Sequence, residues 1–315
     1  METDYLTDII GQKAIKARLN IYKNSYQMNG VIPFILMEGS RGGGKTKLTR
    51  DFRETLVRPD GTTPPMLEVN GASIKSADSF FEQIFPVWES EGACLFIDEI
   101  HKIHPKLETI FLTALEKSKN PVRNVSYDSR EGIRLTYTFD FRKMSFISAT
   151  TDRQQLSKAF NDRLTKIPLA GYSDDELFQI FKLNCDTNVD TVSKDLIKSR
   201  FRGHPRNCCE LAENLDFFAA AHGVESINDS QFNEFCLTMA VFEHGLDESE
   251  MQILKILSER GEMSLNGLAA ATMQSRQVVQ KEYESILLQK GLMDISGKRS
   301  LTQKGREFSK RTFKR

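Results

Sequence analysis

Gly39-Ser40-Arg41-Gly42-Gly43-Gly44-Lys45-Thr46 decides the fold. It follows Phe34-Ile35-Leu36-Met37, an apolar run that reads as a buried strand. Residues 47–57, rich in long side chains, come next and read as a helix. Strand, glycine loop and helix at the spacing G-x-x-x-x-G-K-T form a phosphate-binding loop. Glycines leave backbone N–H groups free to converge on phosphate oxygens, and the helix N-terminus adds positive potential. Lys45 reaches toward β- and γ-phosphates, and the Thr46 hydroxyl is placed to hold Mg²⁺. The candidate nucleotide-binding set here is Gly39, Gly42, Gly43, Gly44, Lys45, Thr46 and Lys47.

Length and composition bound the rest. A chain of 315 residues predicts two or three domains, and 27% charged against 39% hydrophobic residues is a soluble globular balance. The sequence has no apolar run of transmembrane length and no signal peptide pattern. Its five cysteines form no C-x-x-C pair and read as reduced, which predicts a cytoplasmic protein. Zero net charge carries no message about nucleic acid, so the distribution matters. Lys298, Arg299, Lys304, Arg306, Lys310, Arg311, Lys314 and Arg315 stand against Glu307 alone. They read either as a frayed basic tail or as an element facing phosphates.

Cys94-Leu95-Phe96-Ile97-Asp98-Glu99 is the second chemical motif. An apolar strand ending in Asp-Glu presents two carboxylates at the edge where α/β sheets bind ligands. Asp98 suits a Mg²⁺ and Glu99 suits a water attacking a γ-phosphate, against the plainer reading of an acidic loop. His101 and His104 lack further ligands at metal spacing and read as loop or packing residues. Residues 119–141 read as a β-hairpin inserted before the strand Met144-Ser145-Phe146-Ile147-Ser148. Thr150, just past that strand, is the candidate sensor of the γ-phosphate. Arg163 closes a short helix and is either a surface charge or an arginine finger for a neighbour's nucleotide. From Tyr172 to Phe242 the pattern is helical, and Arg206 falls in the first turn of a helix opened by Pro205. A cation there opposes the helix dipole, which either a nucleotide phosphate or a structural ion pair would explain. Beyond Gly245, three helices and two short strands around Ser296-Gly297-Lys298-Arg299 predict a winged helix, a module that meets DNA or protein.

The order of these motifs resembles the AAA+ ATPases, and within them the RuvB family of Holliday-junction branch-migration motors. Asp8-Ile9-Ile10-Gly11-Gln12 resembles the family's entry motif, and Leu95 through Lys102 its Walker B stretch. Ser148-Ala149-Thr150-Thr151 resembles its sensor strand, Asp162-Arg163 its arginine finger and Arg202-Gly203-His204-Pro205-Arg206 its second sensor. Gly245-Leu246-Asp247, Leu268-Ala269-Ala270 and Leu288-Gln289-Lys290-Gly291-Leu292 follow the order of its tail.

The resemblance implies an α/β fold: an AAA+ P-loop domain over residues 1–171, a helical lid over 172–243 and a winged-helix DNA-binding domain over 244–315. It adds Ile9, Ile10, Tyr172, Pro205 and Arg206 to the nucleotide site, and Arg276, Lys298 and Arg299 as DNA contacts. It implies ATP and Mg²⁺ as cofactors, a hexameric ring around duplex DNA, and a RuvA-like partner at the 119–141 hairpin. An AAA+ loader or initiator, using ATP as an assembly switch, is the alternative. The sequence departs from the family at Ser40-Arg41, where two prolines are usual, at Leu164-Thr165 after the finger, and in a shorter wing.

Overall fold

The computed structural model describes residues 6–313, so Tyr5 and the tail cations Lys314 and Arg315 lie outside the described residues. The chain forms two compact units, one up to Gly171 and one from Tyr172 onward.

The first unit is built on a parallel sheet of β1 (Ile35–Glu38), β2 (Met66–Asn70), β3 (Cys94–Asp98), β6 (Ser145–Thr150) and β7 (Thr165–Pro168). Their order is β2-β3-β6-β1-β7, with β4 (Val122–Asp128) and β5 (Arg134–Asp140) pairing separately as the hairpin. Strands covered on both faces need continuous apolar sequence, and Cys94-Leu95-Phe96-Ile97 supplies it. Successive side chains point to opposite faces. Leu95, Ile97 and Phe146 therefore enter one core, while Cys94, Phe96, Ile147 and Ala149 enter the other. Helices Lys13–Asn29 and Lys45–Glu54 close the second face through Leu19, Tyr26, Leu48 and Phe52.

The first face is covered by helix Pro105–Ala114 and a helical run over residues 77–91. Ser76 and Ser79 cap that run reciprocally. The run reaches Glu91 through a π turn, Phe80–Ile84. Widening the helix there lets the Phe85 N–H bond the Phe80 carbonyl, so Pro86, which lacks a donor, interrupts no regular ladder.

The hairpin alternates strictly. Tyr127, Tyr137 and Phe139 face inward, and the first two stack on Phe81 at 4.8 and 3.9 Å between ring centroids. Asn124, Ser126, Thr136 and Thr138 face outward and bond across the strands, Ser126 to Thr136 at 2.7 Å and Thr138 to Asn124 at 2.8 Å.

In the second unit, helices Asp174–Leu183, Lys194–Lys198, Pro205–His222 and Asp229–Thr238 enclose Phe181, Phe201, Leu215 and Phe232. Helices Glu248–Arg260 and Leu265–Thr272, a helical run over 276–289, β8 (Met293–Ser296) and β9 (Lys298–Leu301) then form a winged helix. The basic tail is a correction: Gln303–Phe313 is a helix that buries Phe308 and Ser309. It packs so closely that a Cβ on Gly305 would run into the Leu292 carbonyl.

The boundary expected at 243/244 falls inside this unit. Arg202 bonds the fully buried Glu250 at 2.5 and 3.0 Å and the Gly245 carbonyl at 2.9 Å. Lys290 donates to the Phe201 carbonyl at 2.8 Å. Burial pushes the Glu250 carboxyl pKa up, although hydrogen bonds from Arg202 oppose the shift. No helix among the described residues is long and apolar enough to cross a membrane.

Candidate functional site

The sheet order sets β3, β6 and β1 side by side, so their carboxyl ends converge. Glu38 pairs with Thr150, and the Gly39 N–H then reaches the Thr150 carbonyl at 3.4 Å. The phosphate loop, the Asp98-Glu99 pair and Thr150 thus meet at one edge, where parallel α/β sheets bind ligands. Gly42 and Gly44 hold φ of 74° and 91°, a region that excludes most side chains at little cost to glycine. The loop feeds directly into helix Lys45–Glu54, aiming that N-terminus at the loop's hollow. Lys45 is buried and folds across the loop, donating to the carbonyls of Gly39 at 2.8 Å and Ser40 at 2.9 Å. Lys47, in the first turn of that helix, pairs with Asp51 at 3.0 Å on the exposed helix face.

Thr46 Oγ1 donates to Asp98 Oδ2 at 3.0 Å, and the other carboxylate oxygen accepts the Glu99 N–H at 2.9 Å. Two hard oxygen donors side by side fit Mg²⁺, which takes one or two protein ligands and completes its shell with water and phosphate. No group of three or more His, Cys, Asp or Glu able to hold a metal occurs among the described residues, so an all-protein cage is absent.

Glu99 sits in the left-handed region, φ 51° and ψ 48°. Its carbonyl is backed by Gly71, where a Cβ would lie 2.5 Å away. Its carboxylate accepts from Thr151 Oγ1 at 2.9 Å and stands 3.3 Å from His101 Nε2. His101 Nδ1 in turn lies 2.9 Å from Thr150 Oγ1. The reading of His101 as loop filling is thereby corrected: it bridges Glu99 and Thr150. The signal was its position two residues after Glu99, inside the turn Ile100–Lys102, rather than its spacing to His104. His104 caps helix Pro105–Ala114 by accepting the Lys106 N–H.

At the entry segment Ile9 is buried and Ile10 half-buried. The Gln12 amide grips Ala170 twice, donating to its carbonyl at 2.8 Å and accepting its N–H at 3.1 Å.

Arg163 stands apart from this group. It ends helix Lys158–Arg163, two residues before Thr165, and Thr165 pairs with Ile35 at the start of β1. Ile35 and Gly39 are four strand residues apart, about 13 Å at about 3.3 Å per residue, so Arg163 lies near the end of β1 opposite the phosphate loop. Its guanidinium lies on the carbonyls of Leu112 and Ala159 at 2.6 and 2.8 Å. It lines a cavity of about 570 Å³ with Glu116, Lys117, Lys119 and Arg123.

In the second unit, Tyr172 and Pro205 are half-buried and Arg206 is exposed. No ion pair of the Arg206 side chain occurs among the described residues. In the winged helix, Arg276 at the start of the run 276–289 is exposed and near Asn266, and Lys298 in the wing is exposed. Arg299 requires a correction: it forms a two-point pair with Glu284 at 2.7 and 3.2 Å, and the side chains are 11% and 3% exposed. Sequence reading missed Glu284, which takes the charge assigned to phosphate. Arg306 and Lys304 likewise bond the Leu301 and Lys290 carbonyls, and Arg311 pairs with Glu243.

The chain matches two family descriptions: "Holliday junction DNA helicase RuvB P-loop domain" over residues 1–168 and "RuvB C-terminal winged helix domain" over 243–310. A protein of Kosmotoga olearia named Holliday junction branch migration complex subunit RuvB is 27% identical over 318 residues, covering 98% of this chain and 87% of its own length. The protein of that name from Campylobacter lari is 29% identical over 316 residues, covering 96% and 87%. Among solved structures, the Thermotoga maritima RuvB Holliday junction branch migration motor superposes with a TM-score of 0.74 at 25% identity, covering 98% of this chain and 97% of that one. With its P-loop domain matched over more than half its length and its winged helix matched as well, the chain belongs to the RuvB family.

Proposed function

We propose that this protein is an ATP-driven motor that moves duplex DNA at four-way junctions. The observation that carries the reading is the convergence of Lys45, the Thr46–Asp98 pair and Glu99 at the carboxyl edge of one sheet, in a chain that also ends in a winged helix. Lys45 would leave the Gly39 and Ser40 carbonyls for the β- and γ-phosphates. Thr46 and Asp98 would hold the Mg²⁺ that arrives with ATP and offsets phosphate charge. Glu99 would orient and deprotonate the attacking water, with Thr150 hydrogen-bonding the γ-phosphate.

Arg163 lies next to the amino end of β1, whereas its own phosphate loop follows the carboxyl end, and its guanidinium is held by the Leu112 and Ala159 carbonyls. It would therefore complete the site of a neighbouring subunit, which makes a ring of copies, a hexamer in this reading, the active species. Within the second unit, exposed Arg206 with Pro205 and Tyr172 is the set that the family resemblance assigns to nucleotide, and within the first unit Ile9 and Ile10 are the corresponding entry-segment candidates. Lys298 and Arg276 would meet DNA phosphates. The outer face of the hairpin offers hydroxyl and amide groups with Ile133 at its tip, so a RuvA-like partner would be met mainly through polar contacts.

The test is ATP-dependent branch migration of a synthetic four-way junction, with and without a junction-binding protein. Movement that stops with Glu99→Gln supports the motor. Junction binding and ATP turnover without movement would instead identify an assembly switch or loader.

A further inference from the structure

The residues around Glu99 form a chain that the roles above leave unused. Thr150 Oγ1, His101 Nδ1, His101 Nε2 and Glu99 Oε2 follow one another at 2.9 Å across the first gap and 3.3 Å across the second. The His101 side chain is 4% exposed, Thr150 is buried and the Glu99 side chain is 20% exposed. Thr150 Oγ1 also accepts the Asp152 N–H at 3.0 Å, which leaves its single proton as the hydroxyl's only donor.

For the neutral imidazole, donor counting selects one arrangement. If Nδ1 carried the imidazole proton, the Nε2 lone pair would face the Glu99 carboxylate, acceptor against acceptor. With the proton on Nε2, the ring presents N–H to Glu99, and Nδ1 accepts from Thr150. The Thr150 proton is therefore committed to His101 as long as Glu99 is held this way. A γ-phosphate oxygen bonding Thr150 would claim that same proton, and the hydroxyl has no second one to give. Contact with the phosphate at Thr150 then removes the ring's partner on one side and loosens its hold on Glu99 on the other.

We propose that His101 is a positioning residue that couples Thr150 to Glu99, so that the water-activating carboxylate responds to whether a γ-phosphate occupies the site. Thr151 Oγ1 donates to the same carboxylate oxygen at 2.9 Å, and Lys102 Nζ lies 4.0 Å from it. The inference rests on Glu99 acting on water, as proposed above.

The experiment is steady-state ATP hydrolysis, with nucleotide affinity and thermal stability measured alongside, for full-length variants at His101. A glutamine amide nitrogen mimics Nε2 and an asparagine nitrogen mimics Nδ1. His101→Gln should keep the contact to Glu99 and hold kcat within about threefold. His101→Asn and His101→Ala should lower kcat about tenfold or more, a fraction of the 10²–10⁴ that a general base supplies, with KM and nucleotide affinity unchanged. Combining His101→Ala with Thr150→Val should cost no more than the worse single change. A role confined to filling space would make Gln and Asn equivalent, and that result, or additive losses in the double variant, would overturn the proposal. Glu99→Gln separates the two levels. If it leaves turnover intact, the assignment of Glu99 fails; if it abolishes turnover while His101→Ala does nothing, only the coupling fails.

Discussion

Arg299 meets Glu284 in a two-point ion pair at 2.7 and 3.2 Å inside the winged helix, with 11% and 3% of the side chains exposed. Removing one member of a buried pair strands the other. Arg299→Ala is therefore expected to lower unfolding free energy by about 3–5 kcal/mol in urea titrations. Lys298→Ala, one residue away and exposed, should leave stability unchanged and weaken DNA binding at every sequence, reducing the salt slope by about 1. Normal stability in Arg299→Ala with a lost phosphate contact would reverse these roles.

The phosphate loop separates binding from chemistry. Lys45→Ala should abolish nucleotide binding in a fluorescent-nucleotide titration, because the buried ammonium is the loop's fixed charge. Glu99→Gln should bind normally and hydrolyse about 10²–10⁴-fold more slowly. Equal loss of binding in both variants would argue that Glu99 shapes the pocket instead.

Arg163, facing away from its own loop, should be dispensable for nucleotide binding and required for turnover. Arg163→Ala and Glu99→Gln proteins, each inactive alone, should recover some hydrolysis on mixing, since a mixed ring contains interfaces with both groups intact. Absence of recovery at any ratio would count against action between subunits.

The hairpin is held by rings, not by its edge. Phe139→Ala, fully buried beside Phe85 and Trp88, should cost about 3–5 kcal/mol in chemical denaturation. Thr136→Val on the outer face should stay within about 0.5 kcal/mol while weakening any partner that reads the polar face.

His244 makes the second unit acid-sensitive. Burial, then nearby Lys304, Lys290 and Arg311, push its pKa below 6.5 against the opposing pull of Glu243. His204 shifts the same way, through burial, Arg202 and Lys290. The folded state thus binds fewer protons than the unfolded one, so stability is complete above about 6.5 and falls as pH drops through that value. His244→Gln should flatten the decline in thermal midpoint between pH 7 and pH 5.5, with His204 retaining part of it.

Motifs with a local cause were legible in the sequence. The glycine loop, the Asp-Glu strand end and a hairpin within residues 119–141 each follow from residue type and spacing. What stayed hidden depends on partners distant in sequence. Nothing near Arg299 announces Glu284, and nothing near His101 announces that β6 will bring Thr150 beside it. The helix Gln303–Phe313 was masked by its own charges, because Lys304, Arg306 and Arg311 satisfy local carbonyls and Glu243 rather than solvent or phosphate.

The junction of Arg202 with Glu250, backed by Lys290 on the Phe201 carbonyl, bears on how such proteins can be recombined. A chimaera that exchanged the winged helix alone, cut near Gly245, would leave Arg202 facing a foreign helix and forfeit its buried partner Glu250. Grafts joined at Gly171 keep both halves of that pairing together. The portable piece of this chain is residues 172–315, and a designer wishing to change what the motor grips should carry the lid along with the wing.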